Sequence, residues 1–107
     1  MVKLEDDAVR TERNLARLSK AEAEEIAGRA LGVLAADEDR LWRFLDLTGL
    51  TPGTLRAAAA RPGFAAAVLD HVVSDEGLLL DVAEALGLSP ERVARAQALL
   101  SPQAFED

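Results

Sequence analysis

The sequence contains no cysteine and a single histidine, His71, among its 107 residues. Without cysteine, disulfides, thiolate metal sites and a cysteine nucleophile are excluded, and the cytoplasm is the expected compartment. A transition-metal site would need carboxylates as every other ligand of His71. We therefore expect no metal and no other cofactor, and we interpret His71 as a partly buried or surface-paired imidazole.

Long apolar runs and an export signal are also missing. The longest apolar stretches are short, such as residues 64–69, whereas a transmembrane helix needs about 20 apolar residues. Residues 1–7 are acidic where a signal peptide would have an apolar stretch behind basic residues. These two absences predict a cytoplasmic protein that enters no membrane.

Aromatic residues make up only 4% of the chain, whereas 50% of the residues are hydrophobic and 29% are charged. This balance is typical of a globular protein, and the abundant alanine and leucine favour helix over strand. A chain of this length has room for one core. The composition therefore predicts an all-α, single-domain helical bundle.

Cap residues predict where the helices begin and end. Ser19 and Glu22 form a capping-box pattern ahead of an apolar stripe with the i, i+3, i+4, i+7 spacing of a helix. They predict a first core helix over about residues 20–36. Asp37 can cap a second helix, and Gly49 can end it in the left-handed conformation.

The second half of the sequence repeats this pattern at a constant offset, which places Asp75 opposite Asp37. The segment Gly-Leu-Thr-Pro at 49–52 aligns with Gly-Leu-Ser-Pro at 87–90, and seven of the 23 positions aligned from Asp37 onward are identical. Helix caps look alike in many proteins, so coincidence is the alternative, but a constant offset through two caps favours duplication. We predict six short core helices in two tandem three-helix units, about residues 20–61 and 62–100, that share one core within a domain of residues 19–107.

Residues 1–18 lie outside this repeat, and two interpretations of them remain open. Apolar residues at helical spacing could line one face of an additional N-terminal helix, with basic residues on another face. The alternative is an N-terminal arm that frays. The apolar residues are Leu4, Ala8, Leu15 and Leu18, and the basic ones are Arg10, Arg13, Arg17 and Lys20.

Catalytic arrangements are not evident. The serines fall where predicted helices begin or end and are interpreted as caps; they are Ser19, Ser74, Ser89 and Ser101. Neither a Ser-His-Asp arrangement nor a phosphate-binding glycine loop is present, and the acids around His71 lack the spacing of a calcium loop. We predict that the protein is not an enzyme.

The glycine turns between helices resemble the helix-turn-helix of DNA-binding proteins. In the second unit Arg92, Arg95 and Gln97 would then face the bases. Residues from Pro62 onward, however, hold eight acids against two arginines, which gives a net charge of −6 that repels phosphate. Residues 37–61 are neutral overall, so the first unit is the better candidate. The remaining candidate nucleic-acid contacts are Arg10, Arg13, Arg17, Arg40, Arg43 and Arg56.

Two pairs of residues predict close contacts or interfaces. Trp42 and Leu80 are equivalent under the constant offset and lie off the apolar stripes of their helices. They either pack between the units or form a candidate protein interface. Gly28 and Gly32 lie within the first helix, where glycine costs about 1 kcal/mol relative to alanine. We expect another helix, with the alanines at 57–60, to approach closely there.

Four blocks of sequence carry a family resemblance, namely Leu-Gly-Val-Leu-Ala-Ala-Asp at 31–37, Arg-Phe-Leu-Asp-Leu-Thr-Gly-Leu-Thr-Pro at 43–52, Val-Leu-Asp-His-Val-Val-Ser-Asp-Glu at 68–76 and Gly-Leu-Ser-Pro-Glu-Arg-Val at 87–93. They resemble a family of short proteins from alphaproteobacteria that is known as a domain of unknown function. The likeness covers about residues 20–100. It implies a bacterial cytoplasmic protein and nothing about its activity.

These observations favour a non-enzymatic interaction or regulatory module whose partner is another protein. The alternative is a DNA-binding transcriptional regulator that uses the segments resembling a helix-turn-helix. The oligomeric state stays open.

Overall fold

The computed structural model describes residues 18–101. Within them the backbone forms six α-helices and no β-strand, which confirms the predicted all-α bundle. The helices are α1 (Lys20–Ala35), α2 (Glu38–Thr48), α3 (Pro52–Ala59), α4 (Phe64–Val73), α5 (Glu76–Leu86) and α6 (Pro90–Leu100). The N-terminal arm or helix, with Arg10, Arg13 and Arg17, lies outside the described residues.

Helix α1 begins with the predicted capping box. The Ser19 hydroxyl accepts the Glu22 backbone N–H at 3.0 Å, and the Glu22 carboxylate accepts the Ser19 N–H at 2.9 Å. Two of the N–H groups that a helix start leaves unpaired are thereby satisfied. The hydrogen bonds from the backbone and the side chain of Ser19 lower the pKa of Glu22, because they stabilise its charged form.

The helix boundaries follow the constant offset of the repeat in α2 and α5 and at the starts of α3 and α6. Helices α2 and α5 begin and end at equivalent positions, and α3 and α6 both begin at a proline. The carboxylates of Asp37 and Asp75 each accept a backbone N–H at 3.2 Å in the first turn of their helices. Gly49 and Gly87 end those helices with φ of 76° and 72°, the left-handed region that glycine enters without a Cβ penalty. The origin of this repeat by duplication stays a prediction.

Helices α1, α4 and α6 pack against one another most extensively and enclose the core. Buried alanines at 23, 27 and 30 of α1 and at 96 of α6 are small enough for these helices to lie close together. The bulk of the core comes from larger fully buried side chains of both halves, which are Leu34, Phe44, Leu45, Val68, Leu69, Val72, Val82 and Val93. Both predicted units thus contribute to one hydrophobic cluster.

The expected close approach of a helix to Gly28 and Gly32 is wrong. A Cβ atom built on either glycine would meet nothing within 4 Å. Beside Gly28 lies an open groove of about 360 Å³, whose lining includes Leu31 and Phe64. The alanine-rich helix α3 makes its main contact with α4 instead, so these two glycines face open space.

Candidate interaction surface and the adjoining cleft

Trp42 and Leu80 are both exposed at the surface. The side chain of Trp42 on α2 is 55% accessible, and Leu80 on α5 is 48% accessible. The alternative in which both residues pack between the two units is therefore wrong. Leu47 of α2, which the sequence did not single out, is more exposed still at 68%.

Helices α2 and α5 face each other through one flank of each helix. Arg40 of α2 forms an ion pair with Asp81 of α5, and Arg43 and Leu47 continue the same stripe of α2 at i+3 and i+7. Trp42 lies two residues after Arg40, about 200° around the helix at 100° per residue. Leu80 likewise lies two residues after Leu78, which lines the cleft, and so about 200° around its own helix. Trp42 and Leu80 therefore occupy the outer flanks of α2 and α5 rather than the junction between them.

Each of these exposed apolar side chains lies between two acids on its own helix face. Glu38 and Asp46 are four residues before and after Trp42, and Glu76 and Glu84 have the same spacing around Leu80. Residues four apart are neighbours on a helix surface. Within residues 18–101 none of these four carboxylates takes part in a side-chain hydrogen bond or ion pair. Each outer flank is thus an apolar centre with negative charge on both sides.

The candidate arginines do not gather on one face in the described part of the chain. Arg40 is paired with Asp81, and Arg43 lines the junction of α2 and α5. Arg92 lies beside Glu22, where its charge makes a small contribution to lowering the pKa of that carboxyl. Arg56 and Arg95 are exposed on α3 and α6, respectively. Acidic side chains therefore lie among these arginines.

One face of helix α6 packs into the bundle, and the other is exposed. Its residues Val93 and Ala96 are fully buried, and it contacts α1, α4 and α5. The Gln97 side chain donates a hydrogen bond to the Asp70 carboxylate at 2.7 Å. Gln97, one of the residues proposed to face bases, is therefore engaged within the protein.

A polar cleft at the junction of α2 and α5 contains His71. The imidazole is partly buried, as one of the two interpretations of this residue required, and its ring meets the Phe44 ring edge-on at a centroid distance of 5.2 Å. Burial and the positive charge of Arg43 lower the pKa of His71, whereas Asp75 acts in the opposite direction. The imidazole is therefore mainly neutral at neutral pH.

The serines behave as helix-terminal residues. Ser19 and Ser89 accept backbone N–H groups at 3.0 and 3.1 Å in the first turns of α1 and α6. Ser74 ends α4 and donates its hydroxyl to the His71 carbonyl oxygen at 2.7 Å, so Asp75 rather than Ser74 caps α5. Over residues 18–101, no group of three or more possible metal ligands is present. No helix in that range has the length and apolarity required to cross a membrane.

A family model described as "Protein of unknown function (DUF3572)" matches residues 20–103, which include all six helices. The chain belongs to this family. The resemblance seen in the four sequence blocks is confirmed to that extent, and an alphaproteobacterial origin stays a prediction. No curated protein and no solved structure matches the chain.

In this member of the family, the cleft and Leu47 are the features that sequence reasoning missed. The stripe of Arg40, Arg43 and Leu47 at i, i+3 and i+7 is visible in the sequence. Its sequence does not single it out, because two arginines and one leucine at this spacing are also an ordinary pattern for a solvent-exposed helix face. Only the position of His71 on a neighbouring helix distinguishes this stripe from such a face.

Proposed function

We propose that this protein is a non-enzymatic, cytoplasmic interaction module with a regulatory role, and that its partner protein binds the outer flank of α2. The observation that carries the proposal is the exposure of Trp42 between two acids that pair with nothing else in residues 18–101. Tryptophan is enriched among the residues that dominate binding energy at interfaces. An indole ring left half in water gains apolar burial when a partner covers it.

The charge around Trp42 indicates the chemistry of the partner. Glu38 and Asp46 lie four residues before and after Trp42 on the same helix face. The whole chain has a formal net charge of −7. Complementary charge speeds association and discourages binding of other acidic proteins. The fitting partner is a protein segment with an apolar anchor and basic side chains around it. Leu80, between Glu76 and Glu84, offers a second and smaller surface of the same kind.

A photo-crosslinking amino acid placed at Trp42, in the cells that make this protein, tests the proposal. Leu47 supplies the matched control because it is on the same helix, is more exposed and lies on the other flank. We expect one defined adduct from position 42 and none from position 47. The adduct protein, purified, should then bind the unmodified chain saturably and shift the fluorescence of its single tryptophan.

The W42A variant completes this test. Loss of a central aromatic anchor weakens binding by about tenfold or more, whereas L47A should bind as the unmodified chain does. Equal adducts from both positions, or unchanged affinity of W42A, would refute a partner surface on the outer flank of α2.

DNA binding through the segments that resemble a helix-turn-helix, α2–α3 or α5–α6, is the second candidate, supported by the glycine turn between the two helices of each. The geometry is less favourable, because Gln97 in α5–α6 is already bonded to Asp70 and Arg40 in α2–α3 is paired with Asp81. Fluorescence anisotropy with a labelled duplex tests whether the protein binds DNA; it is measured at low salt, where phosphate contacts are strongest. We expect no saturable binding; a salt-dependent affinity that R43Q and R56Q, or R92Q and R95Q, weaken would establish the DNA-binding alternative.

A further inference from the structure

The cleft at the junction of α2 and α5 is a second distinctive site, separate from the outer flank that carries Trp42. It consists of two adjoining cavities of about 260 and 170 Å³. Arg43, His71, Asp75 and Leu78 line both cavities, and Leu47 lines the smaller one. The cleft therefore has polar groups from three parts of the chain and apolar walls from two helices.

Most polar groups of the cleft are engaged within the protein. Arg40 is paired with Asp81, and the Asp75 carboxylate accepts the Leu78 N–H at 3.2 Å. Two groups are left over. Across residues 18–101, neither the Arg43 guanidinium nor the His71 imidazole forms a hydrogen bond or an ion pair. Two side chains that can donate hydrogen bonds thus share one cleft in which neither is bonded to an acceptor, the nearby Asp75 carboxylate included.

The internal repeat shows that this pair is not required by the architecture. Under the constant offset, His71 corresponds to Val33, which packs against the hydrophobic core. Arg43 corresponds to Asp81, a residue of opposite charge. A partly buried imidazole loses hydration that no internal hydrogen bond replaces, whereas valine at the same place has no such cost. A bound acceptor would offset that loss.

We propose that this cleft binds an oxyanion group, a phosphate or a carboxylate, between the Arg43 guanidinium and the His71 imidazole. A guanidinium presents its N–H groups in a fork that matches two oxygens of such an anion. The imidazole donates a further hydrogen bond, and Leu47 and Leu78 cover the apolar remainder of the ligand. The proposal is independent of a partner at Trp42.

Binding at this site is coupled to the protonation of His71. The charged groups facing the imidazole are Arg40 and Arg43 of α2, Asp75 at the start of α5, and Asp81. Among these groups Arg43 opposes protonation of the ring most directly. An anion placed between Arg43 and His71 offsets that repulsion and raises the pKa of the ring. By linkage, the anion binds more tightly as pH falls.

Proton NMR of the single imidazole provides the test, because His71 gives one ring C2–H resonance for the whole protein. Sulfate, which keeps its charge across about pH 5 to 8, stands in for phosphate, and acetate stands in for a carboxylate. We expect a saturable shift of the His71 resonance with at least one probe. The R43Q variant should weaken that binding by about tenfold or more, whereas R56Q, on exposed α3, should leave it unchanged.

The two probes also assign the class of ligand. Saturation by sulfate alone indicates a phosphate ligand, and saturation by acetate alone indicates a carboxylate ligand. Circular dichroism verifies that R43Q is folded. The proposal is overturned if both probes shift the resonance linearly without saturation, or if folded R43Q binds as tightly as the unmodified chain.

Discussion

At the scale of single residues, neighbouring positions on one helix have opposite roles. Phe44 is fully buried and meets the Phe64 ring edge-on at a centroid distance of 6.3 Å, whereas Trp42, two residues earlier, is 55% exposed. Both are large aromatic residues, so composition alone does not distinguish their roles. The face of the helix on which each ring lies decides its role: Phe44 packs in the core, and Trp42 is exposed to solvent.

Alanine substitutions at these two aromatic positions should differ sharply in stability. Phe44→Ala removes a fully buried ring and is expected to cost about 3–5 kcal/mol of unfolding free energy. Trp42→Ala removes a half-exposed ring that belongs to no buried cluster and should cost less than about 1 kcal/mol. Urea denaturation followed by circular dichroism measures both values. Comparable losses in the two variants would mean that Trp42 has a structural role.

His71 should make stability depend on pH. Its pKa is lowered in the folded protein, so the unfolded chain binds the proton more readily. Stability is therefore full above the unfolded pKa of about 6.5 and decreases as pH falls through that value toward the lower folded one. Urea denaturation of the unmodified chain and of His71→Asn, compared above and below about pH 6.5, isolates this contribution. Parallel pH profiles for the two proteins would rule it out.

At the scale of the helices, local chemistry explains five of the six helix starts and the ends of α2 and α5. The capping box of Ser19 and Glu22, the aspartates at 37 and 75, and the glycines at 49 and 87 lie at the helix ends that the sequence predicted. Caps are predictable because they involve residues within about four positions of one another. The interior glycines of α1 were misjudged because their surroundings depend on where distant helices lie.

Two glycine-to-alanine substitutions should have effects of opposite sign. At Gly28 a Cβ meets no atom within 4 Å and the backbone is helical, so alanine should stabilise the protein by about 0.5–1 kcal/mol. At Gly49 the φ of 76° is strained for alanine, which should cost about 1–2 kcal/mol. Midpoints of thermal unfolding measure both. If Gly28→Ala lowers stability instead, a methyl group at position 28 must disturb the packing around the adjacent groove.

At the scale of the whole molecule, the two repeated units are combined in one core. Leu34, Phe44 and Leu45 of the first half join Val72 and Val82 of the second in a single buried cluster. The sequence predicted this sharing, because neither three-helix unit has enough apolar surface to fold alone. It could not predict the cleft, since the pairing of Arg40 with Asp81 joins residues 41 positions apart. Such contacts follow from helix orientation, which local patterns do not encode.

A shared core should make unfolding a single transition. Trp42 fluorescence reports on the first half and the His71 resonance on the second, and we expect both signals to change at the same urea concentration. A fragment of residues 62–101 should remain unfolded on its own, because it lacks the α1 surface that α4 and α6 cover. Separate midpoints, or a folded fragment, would show instead that the halves are independent domains.

If a partner binds the outer flank of α2 as proposed, the equivalent Leu80 would offer it a second binding place on the same molecule. Trp42 and Leu80 each lie between two acids on the outer flank of their helix, turned away from the junction of α2 and α5. A partner with two basic segments could occupy both places at once, and its second attachment would benefit from the high effective concentration created by the first. The larger ring at Trp42 would contribute most to the time for which the partner stays bound, and contact at Leu80 would raise the overall affinity. Such a partner would be attached to the bundle at two unequal points and would therefore be held in one orientation.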